Sequence, residues 1–504
     1  MNIPSDDLFQ LIQSLTKAEK KNFKHFASKQ RGEKNYMRLF DAIDRQKEYN
    51  EAAIKKIFHD KKFIRQLNSI KNYLYHLISK SLESHHYSLD SQLKSNLHRI
   101  EIFFEKGLYS HCRKILIKTK EIAKKYEKHL VLIELSGWEF ELLRAQSYQG
   151  KTKKETERFY KDAFRATAQY VNYKEYEQLS ARMFSQIYNK GSARTDVDSK
   201  LYQEIINHPL LKAENKTMSY QALSRYYTIY SVYYLMKNDF TSAYSSIKKL
   251  VKLMEEHPHQ MEERLQDYVA MSYNLITCQL NLKKYNEVML TLQKLKAINT
   301  KSKYIKSRIF YTVNDTALNM CVNSGEFEKG IKYIKPVLEE IDKVGLSKND
   351  KMFLYFSIFN IYFGTGNYSS ANTFLSKIIN DATTDVRSDL YCMARIMLLI
   401  VHYELGHEEL LEYMEKSAHR YLDKKERLYK VESSILDFMR RKVPEIIATQ
   451  DKIKAFNELK SELEKITKDP FEKKALEYFD FISWLESKIE SKPFAEIIKE
   501  KAPR

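Results

Sequence analysis

The chain has 504 residues, 43% of them hydrophobic and 30% charged, and a formal net charge of +19 at pH 7. Only 11 glycines and 8 prolines interrupt it, which reads as long helices joined by short turns and excludes a turn-rich β-protein. Its longest purely apolar run, Ile396 to Val401, falls far short of the ~20 residues a membrane helix needs.

The opening Met1-Asn2-Ile3-Pro4-Ser5-Asp6-Asp7 lacks the basic and then apolar pattern of a secretory leader, so a cytoplasmic location is expected. The four cysteines, Cys112, Cys278, Cys321 and Cys392, form no Cys-x-x-Cys pair and each falls inside an amphipathic helical pattern. They are expected to be reduced core residues. Charge is uneven: residues 1–170 hold 34 Lys and Arg against 21 Asp and Glu. That asymmetry suits an anionic partner, and equally the Lys-rich solvated faces of ordinary surface helices.

Residues 1–88 stand apart as an N-terminal helical module. Thr16 and Glu19 form a capping box that starts a helix with Phe23 and Phe26 on one face. A second helix carries Leu39, Phe40 and Ile43. Asn50 is a good N-cap for a short helix with Ile54, Ile57 and Phe58. A long helix then sets Phe63, Leu67, Ile70, Leu74, Leu77 and Ile78 in a stripe. Two readings stay open. A short helix followed by one presenting Arg65, Asn68, Ser69, Lys71, Asn72 and Tyr75 is what a helix-turn-helix reader of DNA needs, with those side chains reaching base edges and phosphates. The other reading is a helical bundle that closes the first repeat; it is favoured by a turn without Gly and by a second helix of about 20 residues.

Residues 89–420 are periodic. Inter-helix turns recur at Gly107, Gly150, Gly191, Asn238, Lys283, Gly325, Gly366 and Gly406, spaced by 43, 41, 47, 45, 42, 41 and 40 residues. A period of that size means stacked helical hairpins, about eight of them, in an α-solenoid. In the clearest unit, Tyr227, Tyr230, Ser231 and Tyr234 precede the turn Asn238-Asp239-Phe240, and Ala243, Ile247, Leu250 and Met254 follow it. Other units repeat the turn, as in Gly366-Asn367-Tyr368-Ser369-Ser370-Ala371, Gly325-Glu326-Phe327-Glu328-Lys329-Gly330 and Gly107-Leu108-Tyr109-Ser110-His111-Cys112.

This pattern resembles a degenerate tetratricopeptide repeat, in which Ala243 and Ala371 fall on the small position where the two helices of a hairpin pack closest. The resemblance implies a right-handed all-α solenoid, with the first helix of each hairpin (helix A) on the concave face and the second (helix B) on the convex one. Carried onto the clearest unit, the groove-lining positions are Arg225, Thr228, Val232, Leu235 and Met236. The aromatic stripes Tyr226-Tyr227-x-x-Tyr230-x-x-Tyr233-Tyr234 and Phe353-x-Tyr355-Phe356-x-x-Phe359-x-x-Tyr362 read either as core or as a recognition surface. The layout is also similar to bacterial regulators that join a helical or helix-turn-helix module to such an array.

Residues 421–504 read as a C-terminal helical cap. Helices are expected over Leu428 to Arg441, from Pro444 through Ile453, Phe456, Leu459, Leu463 and Ile466, and from Asp469-Pro470 through Phe479, Ile482, Leu485 and Ile489, with Trp484 as a packing anchor.

Little in the chain points to catalysis. Gly364-Thr365-Gly366 starts a dinucleotide loop without completing it, His407-Glu408-Glu409 stops short of a zinc pattern, and His257-Pro258-His259 and His85-His86 lack partners at ligand spacing. The expectation is a non-catalytic scaffold, without cofactor or metal, that holds a protein or peptide segment. The alternative is a regulator whose basic N-terminal module contacts nucleic acid while the repeats sense a peptide or protein.

Overall fold

The computed structural model describes residues 5–29, 35–58, 61–85, 88–147, 153–190, 196–380, 388–446 and 448–502. Among them every regular element is helical, and helices pack in sequence-neighbour pairs as in an all-α solenoid. The chain divides into two compact units, residues 1–163 and 164–504.

The first unit opens with α1 (Ser5–Ser14), α2 (Lys17–Ser28), α3 (Asn35–Asp44), α4 (Glu51–Ile57), α5 (Lys61–Arg65) and α6 (Leu67–His85). The capping box forms as expected: Glu19 N–H donates to Thr16 Oγ1 at 3.2 Å, and Thr16 N–H to Glu19 Oε2 at 2.6 Å. Asn50 Oδ1 likewise caps α4 from Ala53 N–H at 2.9 Å. Each cap satisfies a backbone donor that the first helical turn leaves orphaned. Phe23, Leu39, Phe40, Ile43, Ile54, Phe63, Leu67, Leu74 and Ile78 meet in one core. Ile57 departs from expectation and points to solvent, because α4 ends there and the next residue, Phe58, takes the core position by stacking on Phe63. The single long helix expected from Phe63 is instead broken at Gln66 into α5 and α6.

Then follow α7 (Leu89–Glu105), α8 (Tyr109–Lys125), α9 (His129–Ala145) and α10 (Lys153–Lys190). The corner at Gly107 shows a turn that recurs in the described hairpins. Gly107 has φ +70°, its N–H donates to Phe104 O at 2.9 Å, and Leu108 N–H reaches back to Phe103 O at 2.8 Å. This is a Schellman cap, which satisfies the last carbonyls of the helix by one left-handed residue. The same pair of bonds closes the corners at Asn238, Lys283, Gly366 and Gly406, and Gly325 is left-handed too. The expected turns at Gly150 and Gly191 lie outside the described residues. Between them the period gives way: α10 is one helix of 38 residues, because that stretch contains neither Gly nor Pro to end it.

The second unit continues with α11 (Asp196–Ile206) and two 3₁₀ turns (Pro209–Lys212, Glu214–Lys216). The hairpins resume with α12 (Tyr220–Met236) and α13 (Phe240–Glu256). After the short α14 (Pro258–Glu263) come α15 (Leu265–Asn281) with α16 (Tyr285–Lys296), α17 (Lys303–Ser324) with α18 (Phe327–Glu340), α19 (Lys348–Gly364) with α20 (Tyr368–Asn380), and α21 (Ser388–Glu404) with α22 (Glu408–Lys424). Ala243 and Ala371 are fully buried at the helix B contact position. At the equivalent Gly330 a Cβ would come within 2.4 Å of Ile361 Cδ1, so backbone approach there depends on having no side chain.

The C-terminal elements are α23 (Lys430–Asp437), a π turn (Phe438–Lys442), a 3₁₀ turn (Val443–Glu445), α24 (Thr449–Ile466), a 3₁₀ stretch (Glu472–Glu477), α25 (Phe481–Ile489) and α26 (Phe494–Lys501). Pro444 sits in the 3₁₀ turn instead of starting α24. The helix expected from Asp469 is split at Tyr478–Asp480, because Asp480 caps a new helix, accepting from Ser483 N–H at 2.9 Å and Ser483 Oγ at 2.6 Å. Trp484 is buried as expected, at 1% exposure.

Candidate interaction face

Helix A of a hairpin has two sides to cover, and its own helix B covers only one. In α19 and α21 most described side chains are buried and none is exposed, which requires a second cover. The chain's own C-terminal segment supplies it. Phe479 meets Phe363 edge-on at 4.9 Å between centroids and stacks on Phe494 at 5.4 Å, and Phe494 lies 5.9 Å from Phe327. Tyr478 donates its hydroxyl to Asp389 at the start of α21, and Trp484 Nε1 donates to Glu404 at its end. At the corner of α17, a Cβ on Gly325 would lie 2.7 Å from Lys499 Cγ and 3.0 Å from Ala495 O. Further back, Lys474 Nζ donates to Met236 O at 2.6 Å, and Asn238 bonds Glu477. Residues 471–502 therefore touch the end of α12, the corner after α17, the end of α19 and both ends of α21, rather than lying only beyond the last hairpin.

The five positions carried over from the repeat pattern separate in this setting. Thr228 and Val232 are buried, so the groove expectation is corrected for those two. Val232 packs with Tyr202, Ile205, Ile206 and Leu211, residues of the stretch that fills the place of a regular hairpin ahead of α12. Thr228 Oγ1 is spent on Ser224 O at 2.8 Å. Arg225, Leu235 and Met236 stay half-buried; Arg225 lies 3.9 Å from Asp267. The tyrosine stripe of α12 packs in the same way. The hydroxyls of Tyr227, Tyr230 and Tyr233 donate to Glu214, Leu211 O and Gln203 at 3.0, 2.6 and 2.7 Å, and burial with the Glu214 contact pushes Tyr227 up to about 12. On α19, Phe356 and Phe359 are buried while Phe353, Tyr355 and Tyr362 pack against the same core.

The N-terminal set separates as well. Arg65, Asn68 and Ser69 are exposed, and Asn72 and Tyr75 are half-buried. Lys71 is buried, bonded to Glu51 and 5.4 Å from the Tyr49 ring, which removes it from the candidate phosphate contacts. Burial opposes the Lys71 charge, yet its bonds to Glu51 and Tyr49 outweigh this and raise its pKa. The bonds from Lys55 and Lys71 hold Glu51 down at about 2.

Sequence reading missed a polar ladder through the A helices. Tyr273 of α15 and Ser357 of α19 both donate to the buried carboxylate of Asp315 on α17, at 3.0 and 2.8 Å. Arg308 of α17 pairs with Asp350 of α19 at 2.5 Å. Each of these links spans 42 residues, so equivalent positions of successive repeats hold each other. That constant offset between polar residues was the available signal. Burial raises the pKa of Asp315 against the lowering effect of its hydrogen bonds.

An open cleft of ≈ 580 Å³ lies between α23 with its π turn and α24, with Phe438 and Leu459 among its lining and Lys430, Arg441, Glu458 and Glu462 at its edge. Among the described residues no group of three or more His, Cys, Asp or Glu side chains can hold a metal ion. All four cysteines are buried, and burial pushes Cys278 and Cys392 up to about 12, the opposite of a nucleophilic thiol. No helix among the described residues is long and apolar enough to cross a membrane. No protein-family model matches this chain, and no curated protein resembles it.

Proposed function

We propose that the chain is a non-catalytic, tetratricopeptide-like scaffold of the cytoplasm that holds a segment of another protein. The observation that carries this reading is the seating of residues 471–502 on the A helices. An irregular stretch and two short helices are received there by aromatic seats, carboxylates and a backbone carbonyl, the mix of apolar anchor and polar guide used in peptide recognition. Where that row is already filled by the chain itself, a partner needs another surface. The cleft between α23 and α24 has the apolar lining and polar edge that such a surface requires. Affinity capture of the full chain from its native cell, followed by identification of bound proteins and hydrogen-exchange mapping of the complex, tests the reading. A reproducible partner that protects a defined helical face is expected. Recovery of nothing above an untagged control would end it.

A further inference from the structure

His402, in the last turn of α21, and His407, the N-cap of α22, flank the left-handed corner at Gly406. The Schellman bond from His407 N–H to His402 O, at 3.0 Å, fixes the backbone distance between them. Their rings face each other with centroids 5.3 Å apart, and the two Nδ1 atoms approach to 3.1 Å. Two ring nitrogens at that distance need a positive centre between their lone pairs, either the proton of one ring or a cation. Two imidazoles bound to one ion at ~2.0–2.1 Å, with an angle between square and tetrahedral, hold their nitrogens about 2.9–3.4 Å apart. The observed separation falls in that span. Glu408 and Glu409 open α22 beside the pair and add negative charge at its edge.

We propose that His402 and His407 form a two-imidazole chelate for a divalent transition-metal ion, with Cu²⁺ preferred over Ni²⁺ and Zn²⁺ and water in the remaining positions. The preference follows the general affinity order of nitrogen sites. With two protein donors instead of three or four, the site would hold its ion reversibly and would respond to supply; it would not be a permanent structural centre. His257 and His259, whose rings are 6.3 Å apart, do not offer the same convergence, since His257 Nδ1 contacts Leu253 O at 2.9 Å.

The test uses the untagged full chain stripped of metal, titrated with CuCl₂ by calorimetry, with electron paramagnetic resonance recorded at one equivalent. The expected spectrum shows two nitrogen ligands for the first equivalent. His407→Asn and His402→Gln should each weaken that first binding event at least tenfold. Asn is a favoured N-cap, so the first variant keeps the corner, and circular dichroism checks the second. First-equivalent affinity unchanged in both variants would place the ion elsewhere and overturn the proposal. So would a parent spectrum with fewer than two nitrogens, a measurement that depends on no variant, or no binding tighter than millimolar.

Discussion

Trp484 donates its indole N–H to Glu404 Oε1 at 2.7 Å, while Lys488 Nζ takes the other oxygen of the same carboxylate at 2.5 Å. One side chain at the end of α21 thus anchors both α25 contacts, and it is itself nearly buried, with 7% of its side chain exposed. Glu404→Ala leaves an indole N–H and an ammonium without their acceptor, and the expected loss is about 3–5 kcal/mol. Glu404→Gln keeps an acceptor for the indole and should lose less. Urea unfolding followed by tryptophan fluorescence measures both; equal stability of the alanine variant and the parent would contradict the anchor.

Ala243 and Ala371 are fully buried in the first turns of α13 and α20. Replacing either by Leu should overpack the hairpin and cost about 1–3 kcal/mol, with a lower melting temperature. An unchanged melting curve would mean that the helices do not meet at these positions.

Lys283 sits at a hairpin corner with φ +58°, where a Cβ is unfavourable and Gly is at ease. Lys283→Gly should therefore stabilise the protein, by about 0.5–1 kcal/mol once the greater freedom of glycine in the unfolded chain is counted. Gly107→Ala, at a corner of the same kind with φ +70°, should act in the opposite direction. Thermal unfolding of the two variants side by side checks the pair of signs.

Asp315 has its pKa raised by burial, so the folded state keeps a proton that the unfolded chain gives up near pH 3.8. As pH rises from that value through the higher folded pKa, stability is lost; below it the contribution is complete. Asp315→Asn should remove this slope, so its stability relative to the parent is greater at pH 8 than at pH 4. Denaturant midpoints at the two pH values decide it, and a constant difference between the proteins would show that Asp315 does not titrate differently on folding.

Much of the fold was legible because one backbone device repeats. Six of the eight corners read from spacing are left-handed in the structure, including those at Asn238 and Lys283, where the period alone marked the turn. Corners at Glu127, Ser147, Glu426 and Ser491 carried no glycine and so no local sign. The continuity of α10 was hidden in a similar way, since a period invites a turn even where nothing breaks the helix. The cover formed by residues 471–502 was not legible at all. Contacts such as Lys474 to Met236, 238 residues apart, leave no periodic trace. The ladder at Asp315 did leave a trace, the constant offset of 42 residues between its polar members.

Synthesis proceeds from the first residue to the last, so α19 and α21 leave the ribosome before the aromatic segment that shields them. Until Trp484 and Phe494 have been made, a broad oily strip stands open to solvent and to other nascent chains. A stop codon or a cleavage near residue 468 would make that interval permanent. The expected result is aggregated, chaperone-bound material instead of a shortened but working protein, so the hairpins depend on residues 471–502 for their cover.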